Sequence, residues 1–386
     1  MVAAAGPASL TNPRRGRDSI PCRCRLRSAR DAFSGPESRQ PVIHRGTILL
    51  PVTLVALLAA CTGHAAPNRP SPASSRTASM PPTATVPAAP ASESPLLVSG
   101  IPGISVDAGF ETEPQIHVDS ATPPPTRTEV VVVRRGPGVL LQQGDLAVVD
   151  DVGRTWRSSA MYENTYYLGQ APHVFPVGTT PLALPGLVHA LEGIPVGSRV
   201  LVVVPPSQGF GVSASRPQGV SAADTAVVVF DIIGGYRGDA GPQGSVVSHG
   251  GGQLPSVSWS DVHSAPHVHI PEAAPPQQRR VVTLVKGNGP ALQQGNLAIV
   301  QYLAETWSGQ LVGSSWDRPL PVPLPIGTGA LLPGLDQGLV GVTVGSRVLI
   351  VVPPAEGLSA SGAPSAGVPR SETLVFVVDV LGAYNT

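Results

Sequence analysis

Few residues in this chain could do chemistry by type and spacing. His263, His267 and His269, with Asp261 just ahead of them, have a spacing that could hold zinc through imidazole nitrogens and a carboxylate. Alternate residues on a solvent-facing strand give the same picture without any ligand. Cys22-Arg23-Cys24 is half of a thiolate metal site, and no partner pair follows it. No Ser-His-Asp arrangement, phosphate loop or H-E-x-x-H run is present. The expectation is therefore no metal and no cofactor.

Cys61 is of a different kind. His44 and Arg45 precede an apolar run from Thr47 to Ala60, which ends Leu58-Ala59-Ala60-Cys61. A positive flank, a short apolar stretch and small residues before a cut are features of secretion signals. The run is shorter than the roughly 20 residues of a membrane span. Its ending resembles the lipobox of bacterial lipoproteins, which implies diacylglyceryl transfer to the Cys61 thiol. Residues 1–41 are Arg-rich and lack apolar periodicity; they read as an upstream extension, with translation starting near Val42. Residues 42–60 then form the signal peptide. The expected location is the outer face of a bacterial cytoplasmic membrane, reached through a lipid anchor.

The elements that must position any site follow from composition. The 386 residues include 43 Gly and 44 Pro, and only 13% are charged. So many turn-formers exclude long helices and coiled coils and favour short strands. Net charge is zero, and nine Arg lie before Cys61, which leaves 16 bases against 22 acids from there on. Nucleic acid is not an expected partner. Residues 61–97 are rich in Ala, Pro, Ser and Thr, a composition that cannot bury enough apolar surface to fold and reads as a disordered tether.

Beyond the tether the chain repeats itself. Leu141-Gln142-Gln143-Gly144-Asp145-Leu146-Ala147 returns as Leu292-Gln293-Gln294-Gly295-Asn296-Leu297-Ala298, and Val196-Gly197-Ser198-Arg199 returns as Val344-Gly345-Ser346-Arg347. A period near 150 residues marks a domain duplication. The domains are read as 98–236 and 246–386, with a Gly-rich joint at 237–245, each folding on its own core. Val- and Ile-rich runs predict strands at 146–152, 199–204 and 225–233, and again at 297–303, 347–352 and 373–381. Each copy shows one helix signal, Pro185 to Gly193 and Pro333 to Gly341, with leucines four apart. Trp156 and Trp307, at equivalent places, read as half-buried packing. The fold class is α+β: in each domain a twisted antiparallel sheet around one short helix.

The order of motifs resembles FKBP-type peptidyl-prolyl cis/trans isomerases over nearly all of both copies. The second copy carries Gly287-Asn288-Gly289, Tyr302, Ser314-Ser315, Pro333-Gly334-Leu335, Val344-Gly345-Ser346-Arg347, Pro353-Pro354 and Phe376. The first carries Gly136-Pro137-Gly138, Phe175-Pro176-Val177-Gly178, Pro185-Gly186-Leu187, Val196-Gly197-Ser198-Arg199 and Phe210-Gly211. The resemblance implies an apolar cleft that takes proline-containing segments. In the second domain it assigns catalytic places to Tyr302, Phe376, Leu335 and Leu332, with Val312, Leu324, Leu358 and Val368 as walls. Gly313 falls at the family's aspartate. In the first domain Phe175, Leu184, Leu187 and Phe210 bind substrate, with Met161 and Val220 beside them. There Asp151 falls at the family's tyrosine, Tyr162 at its aspartate and Val228 at its last phenylalanine.

Such a reaction needs no nucleophile. The barrier to rotating a peptide bond is about 18–20 kcal/mol, because the twisted state loses amide resonance. For X–Pro the two end states differ by only about 0.5–1 kcal/mol. A dry pocket favours the twisted amide, whose charge separation is smaller. Two readings follow: an isomerase for exported proteins, with the second domain the better catalyst, or a catalytically inactive lipoprotein that binds extended polypeptide. A buried carboxylate at Asp151 is expected to bring water into the first cleft.

Overall fold

The computed structural model describes residues 96–97, 100–179, 184–318, 320–358 and 367–386. Cys22, Cys24, Cys61 and most of the tether lie outside them. Nine strands recur in order. The first domain has β1 (Leu96–Leu97), β2 (Ile104–Val106), β3 (Ile116–Val118), β4 (Glu129–Arg134), β5 (Leu146–Thr155), β6 (Met161–Asn164), β7 (His173–Pro176), β8 (Arg199–Val204) and β9 (Ala226–Tyr236). The second has β10 (Ser245–Val246), β11 (Ser256–Ser258), β12 (His267–His269), β13 (Arg280–Lys286), β14 (Leu297–Thr306), β15 (Leu311–Ser314), β16 (Val322–Pro325), β17 (Arg347–Val352) and β18 (Leu374–Tyr384). The sheet therefore begins inside the segment read as tether.

The main sheets run β1-β4-β8-β9-β5-β6 and β10-β13-β17-β18-β14-β15, with β7 and β16 pairing the starts of β5 and β14. The two edge strands differ: β1 joins β4 in parallel, whereas β10 joins β13 antiparallel. β8 and β17 are buried along their whole length, as their unbroken Val, Leu and Ile runs demand. Alternate residues feed two layers. Val200, Val202 and Val204 face the cleft-side core, while Leu201 and Val203 face a second core. That second core is closed by the β2–β3 hairpin, through Ile104, Val106, Ile116 and Val118. β11 and β12 cover the second domain in the same way. Trp156 Nε1 and Trp307 Nε1 donate to the carbonyls of Thr122 and Ala273, tying each leader to its sheet. Trp156 is fully enclosed rather than half-buried, and Trp307 is partly buried.

Only the second helix forms as an α-helix, α1 (Pro333–Leu339). The first copy instead has a 3₁₀ turn at Pro185–Leu187, continued by further i→i+3 bonds. The difference lies at one position. Asp336 accepts the N–H groups of Gly327 and Gly329 through its carboxylate, and its own N–H donates to Leu332 O at 2.8 Å. Its counterpart Val188 has no such side chain, and Gly178 N–H takes the Val188 carbonyl at 3.1 Å. A carbonyl turned outward cannot accept the next i→i+4 bond.

Behind each sheet lies a buried ion pair. Arg199 meets Asp231 through Nε and Nη2 at 2.7 and 2.8 Å, and Arg347 meets Asp379 at 2.6 and 2.7 Å. The domains also touch. Leu146, Val148 and Ile299 are buried together with Ile233, Tyr236, Leu381 and Tyr384 against them. The Tyr236 and Tyr384 hydroxyls lie 2.5 Å apart. The joint is held as well: Gln301 Nε2 donates to Gly238 O, and Gln243 N–H to Gly345 O.

Candidate functional site

In the second domain the expected cleft residues converge from seven places in the chain. Tyr302 comes from β14, Val312 from β15, Leu324 from β16, Leu335 from α1 and Phe376 from β18; Leu358 follows β17, and Val368 precedes β18. All join one apolar cluster, with Leu332 packed on it. Phe376 stands opposite Ala304, whose methyl group leaves room for the ring. Tyr302 is held by its backbone N–H, which donates to Ser315 Oγ at 2.8 Å. Burial raises the Tyr302 phenol, Arg318 pulling it down and Asp317 adding to the rise, so the hydroxyl keeps its proton. Gly313 supplies no carboxylate. The arrangement is an almost wholly apolar wall with one phenol.

The first cleft is built alike but filled differently. Leu184, Leu187 and Phe210 are buried in one cluster, with Phe175, Tyr162 and Val220 packed against it, and Val228 lies beneath. Phe175 meets Phe230 edge-on at 6.4 Å, and Tyr162 meets Phe210 edge-on at 5.2 Å.

The β5–β6 hairpin corrects the sequence alignment by one residue. Gly153 pairs with Glu163, as Ala304 pairs with Gly313. The first hairpin is one residue longer at its turn, where Ser159 takes a left-handed φ of 52° in the role of Gly309. Glu163, not Tyr162, therefore stands where Gly313 does, and Tyr162 answers to Val312 as a wall. Its ring lies over Gly153, where even a Cβ would come within 2.4 Å of it. Met161, expected as a wall, turns its sulfur to Asn164 Nδ2 and the Tyr167 hydroxyl instead.

Asp151 is fully buried and is met by a side chain. His173 Nδ1 lies 2.6 Å from Asp151 Oδ1, while Asp151 Oδ2 and the Tyr162 hydroxyl are buried without a hydrogen-bond partner among the described residues. Burial opposes charge on His173, but the Asp151 carboxylate, its hydrogen bond, Glu163 and Asp150 outweigh it and raise the ring to about 9. That exceeds the free-ring value, so the pair stabilises the domain fully below about pH 6.5 and fades as pH rises through about 9. Burial also raises Glu163, with His173 pulling it back, and holds the Tyr162 phenol protonated. Sequence reasoning missed His173. The signal was its alternation with Phe175, which puts both on the cleft face once β7 pairs with β5.

Elsewhere, no group of three or more His, Cys, Asp and Glu residues among the described ones could hold a metal ion. His263 Nδ1 meets the carbonyl of Asp239 at 2.9 Å. Among the same residues no helix is long and apolar enough to cross a membrane.

The family described as FKBP-type peptidyl-prolyl cis-trans isomerase matches the chain twice, over residues 139–233 and 289–381. An FK506-binding protein of Streptomyces anulatus is 32% identical over 117 residues, 30% of this chain and 94% of that protein. The chain belongs to the FKBP-type family. A probable FK506-binding protein of Corynebacterium glutamicum is 30% identical over 121 residues, 31% of this chain and 98% of that protein. The crystal structure of the three FKBP domains of wheat FKBP73 aligns over 67% of this chain and 95% of its own, at 15% identity and a TM-score of 0.28. The family matches run from β5 into β9 and from β14 into β18 and so include the cleft elements; β1–β4 and β10–β13 lie before them.

Proposed function

We propose that this chain is a peptidyl-prolyl cis/trans isomerase of exported proteins, with the second domain its better catalyst on apolar X–Pro segments. The observation that carries this is the convergence of Tyr302, Phe376, Leu332 and Leu335 with four aliphatic walls on one apolar cluster. Such a lining disfavours the charge-separated planar amide relative to the twisted one, and the Tyr302 hydroxyl is a donor able to orient a substrate carbonyl. The test is a protease-coupled assay of the full chain on an Ala-Leu-Pro-Phe peptide. Phe376→Leu should lower kcat/KM about tenfold, equivalent to about 1.4 kcal/mol of transition-state stabilisation. A wild-type chain that binds the peptide without accelerating its isomerisation would establish the second reading, a binding module. Gly313 favours that reading, since it leaves the second cleft without a carboxylate to orient substrate.

The site of action is proposed to be the outer membrane surface, with Cys61 lipid-modified. The thiol is the one group near the Leu-Ala-Ala-Cys cut able to take a diacylglyceryl chain as a thioether. Detergent-phase partitioning of the chain expressed in a bacterium should be lost in Cys61→Ala. Equal partitioning of the variant would leave an ordinary secretion signal.

A further inference from the structure

We propose that the first domain's cleft selects a cationic residue beside the bound proline, so that the two domains divide X–Pro segments by charge. The inference rests on the proposal that the clefts bind X–Pro segments, and adds a substrate class to it.

The observations are three. Asp151 is fully buried on the cleft face of β5, with one oxygen on His173 and the other unpartnered among the described residues. Glu163 stands on neighbouring β6 and couples electrostatically to both. The second domain has Tyr302, Gly313 and Val322 at the corresponding pairing positions, none of them charged. The first cleft thus holds two acids and one histidine, and the second holds none of these at the matching positions.

The other charges nearby do not cancel this excess. Asp150, next on β5 but on the opposite face, is a further acid and couples to both Asp151 and His173. Arg216, on the loop after Phe210, turns its guanidinium onto the carbonyls of Phe210 and Ser213. Tyr162 is neutral. A carboxylate with an unpartnered oxygen in a low-dielectric setting is costly. A ligand that brings an arginine or lysine side chain to the cleft rim offsets that cost, while one that brings leucine does not.

His173 sets the strength of the selection, because its proton neutralises one of the two acids. Its removal should therefore increase the preference for a cation, the reverse of what loss of a ligand-contacting residue would do.

The test uses the full chain and fluorescent Ala-Arg-Pro-Phe and Ala-Leu-Pro-Phe peptides, with Kd read by anisotropy. The wild type should bind the Arg-Pro peptide the more tightly. Glu163→Gln should reduce the Arg/Leu affinity ratio by about threefold to tenfold, and His173→Gln should raise it by a similar factor. Raising the pH from 7 to 9.5 should act as His173→Gln does, since arginine stays charged throughout. Equal affinity for the two peptides, or a ratio that neither variant moves, would overturn the proposal. Preferential binding of Arg-Pro without rate acceleration would uphold it while sinking the isomerase reading. Acceleration without discrimination would do the opposite.

Discussion

Asp231→Ala is expected to cost the first domain about 3–5 kcal/mol, and more than Asp379→Ala costs the second. Both remove the partner of a fully buried arginine, and an unpaired guanidinium in that setting is what makes the loss large. The surroundings then separate the two. Asp231 accepts four hydrogen bonds: two from Arg199, one from the Tyr166 hydroxyl and one from Glu111 N–H, the last two at 2.7 Å. Glu111 stands at a φ of 54°, a conformation that a non-glycine residue adopts at some cost and that this bond helps to hold. Arg199 Nη1 also reaches Asp107 Oδ2 at 3.0 Å. Removing Asp231 therefore frees the leader as well as the sheet.

Among the described residues Asp379 takes its two side-chain bonds from Arg347 alone, and Arg347 Nη1 is buried without a partner beneath the Trp259 ring. Burial pushes Asp379 up to about 6 against the pull of Arg347. A pair held so incompletely is one that apolar residues can replace. Arg347→Met with Asp379→Leu should recover most of the stability lost in Asp379→Ala, whereas the matching double change at Arg199 and Asp231 should not. Denaturant unfolding of the full chain reads all of these. Equal losses at the two aspartates would show that the leader's bonds to Asp231 contribute nothing.

The contrast between these pairs also marks how far the sequence was legible. The duplication and the β8 and β17 strands were readable, because Val-rich runs and repeated Gly-x-Arg motifs act locally. β5, β9, β14 and β18 run three residues past their predicted ends at Thr155, Tyr236, Thr306 and Tyr384. Those ends contain Gly, Ala and Glu, which are depleted from strands and are held here by pairing with a distant strand. The hairpin that exchanges Glu163 for Tyr162 was invisible for a related reason. One extra turn residue leaves both strands intact, and only the register across them tells which side chain faces the cleft. The Asp151–His173 pair needs the same knowledge, since 22 residues separate its members. The lost helix at Pro185 was readable in principle, because Val188 stands where the Asp336 carboxylate holds the Gly327 and Gly329 N–H groups, but the consequence appears only when Gly178 is brought alongside.

Gly382→Val is expected to uncouple the two domains, converting one cooperative unfolding transition of the full chain into two. The Tyr236 hydroxyl lies 1.9 Å from where a Cβ on Gly382 would be, and the Tyr384 hydroxyl lies 1.9 Å from the same point on Gly234. Each tyrosine ring thus packs on the other domain's glycine, and the two hydroxyls meet at 2.5 Å. A valine at Gly382 must expel Tyr236, and with it the contact that seals Leu146, Val148 and Ile299. Full burial of side chains of this size is worth about 1.5–3 kcal/mol each, enough to bind two domains with separate cleft-side cores into one unfolding unit. The strain at Gly382 is steric alone, so removing the intruding ring should relieve it. Tyr236→Ala and Gly382→Val should each weaken the coupling, and together they should cost no more than the larger of the two. Calorimetry of the full chain distinguishes the outcomes. A single unshifted transition in Gly382→Val would mean that the tyrosines touch without coupling the domains. A double variant whose losses add would mean that the valine disrupts β18 itself, and that the interface is not what the substitution breaks.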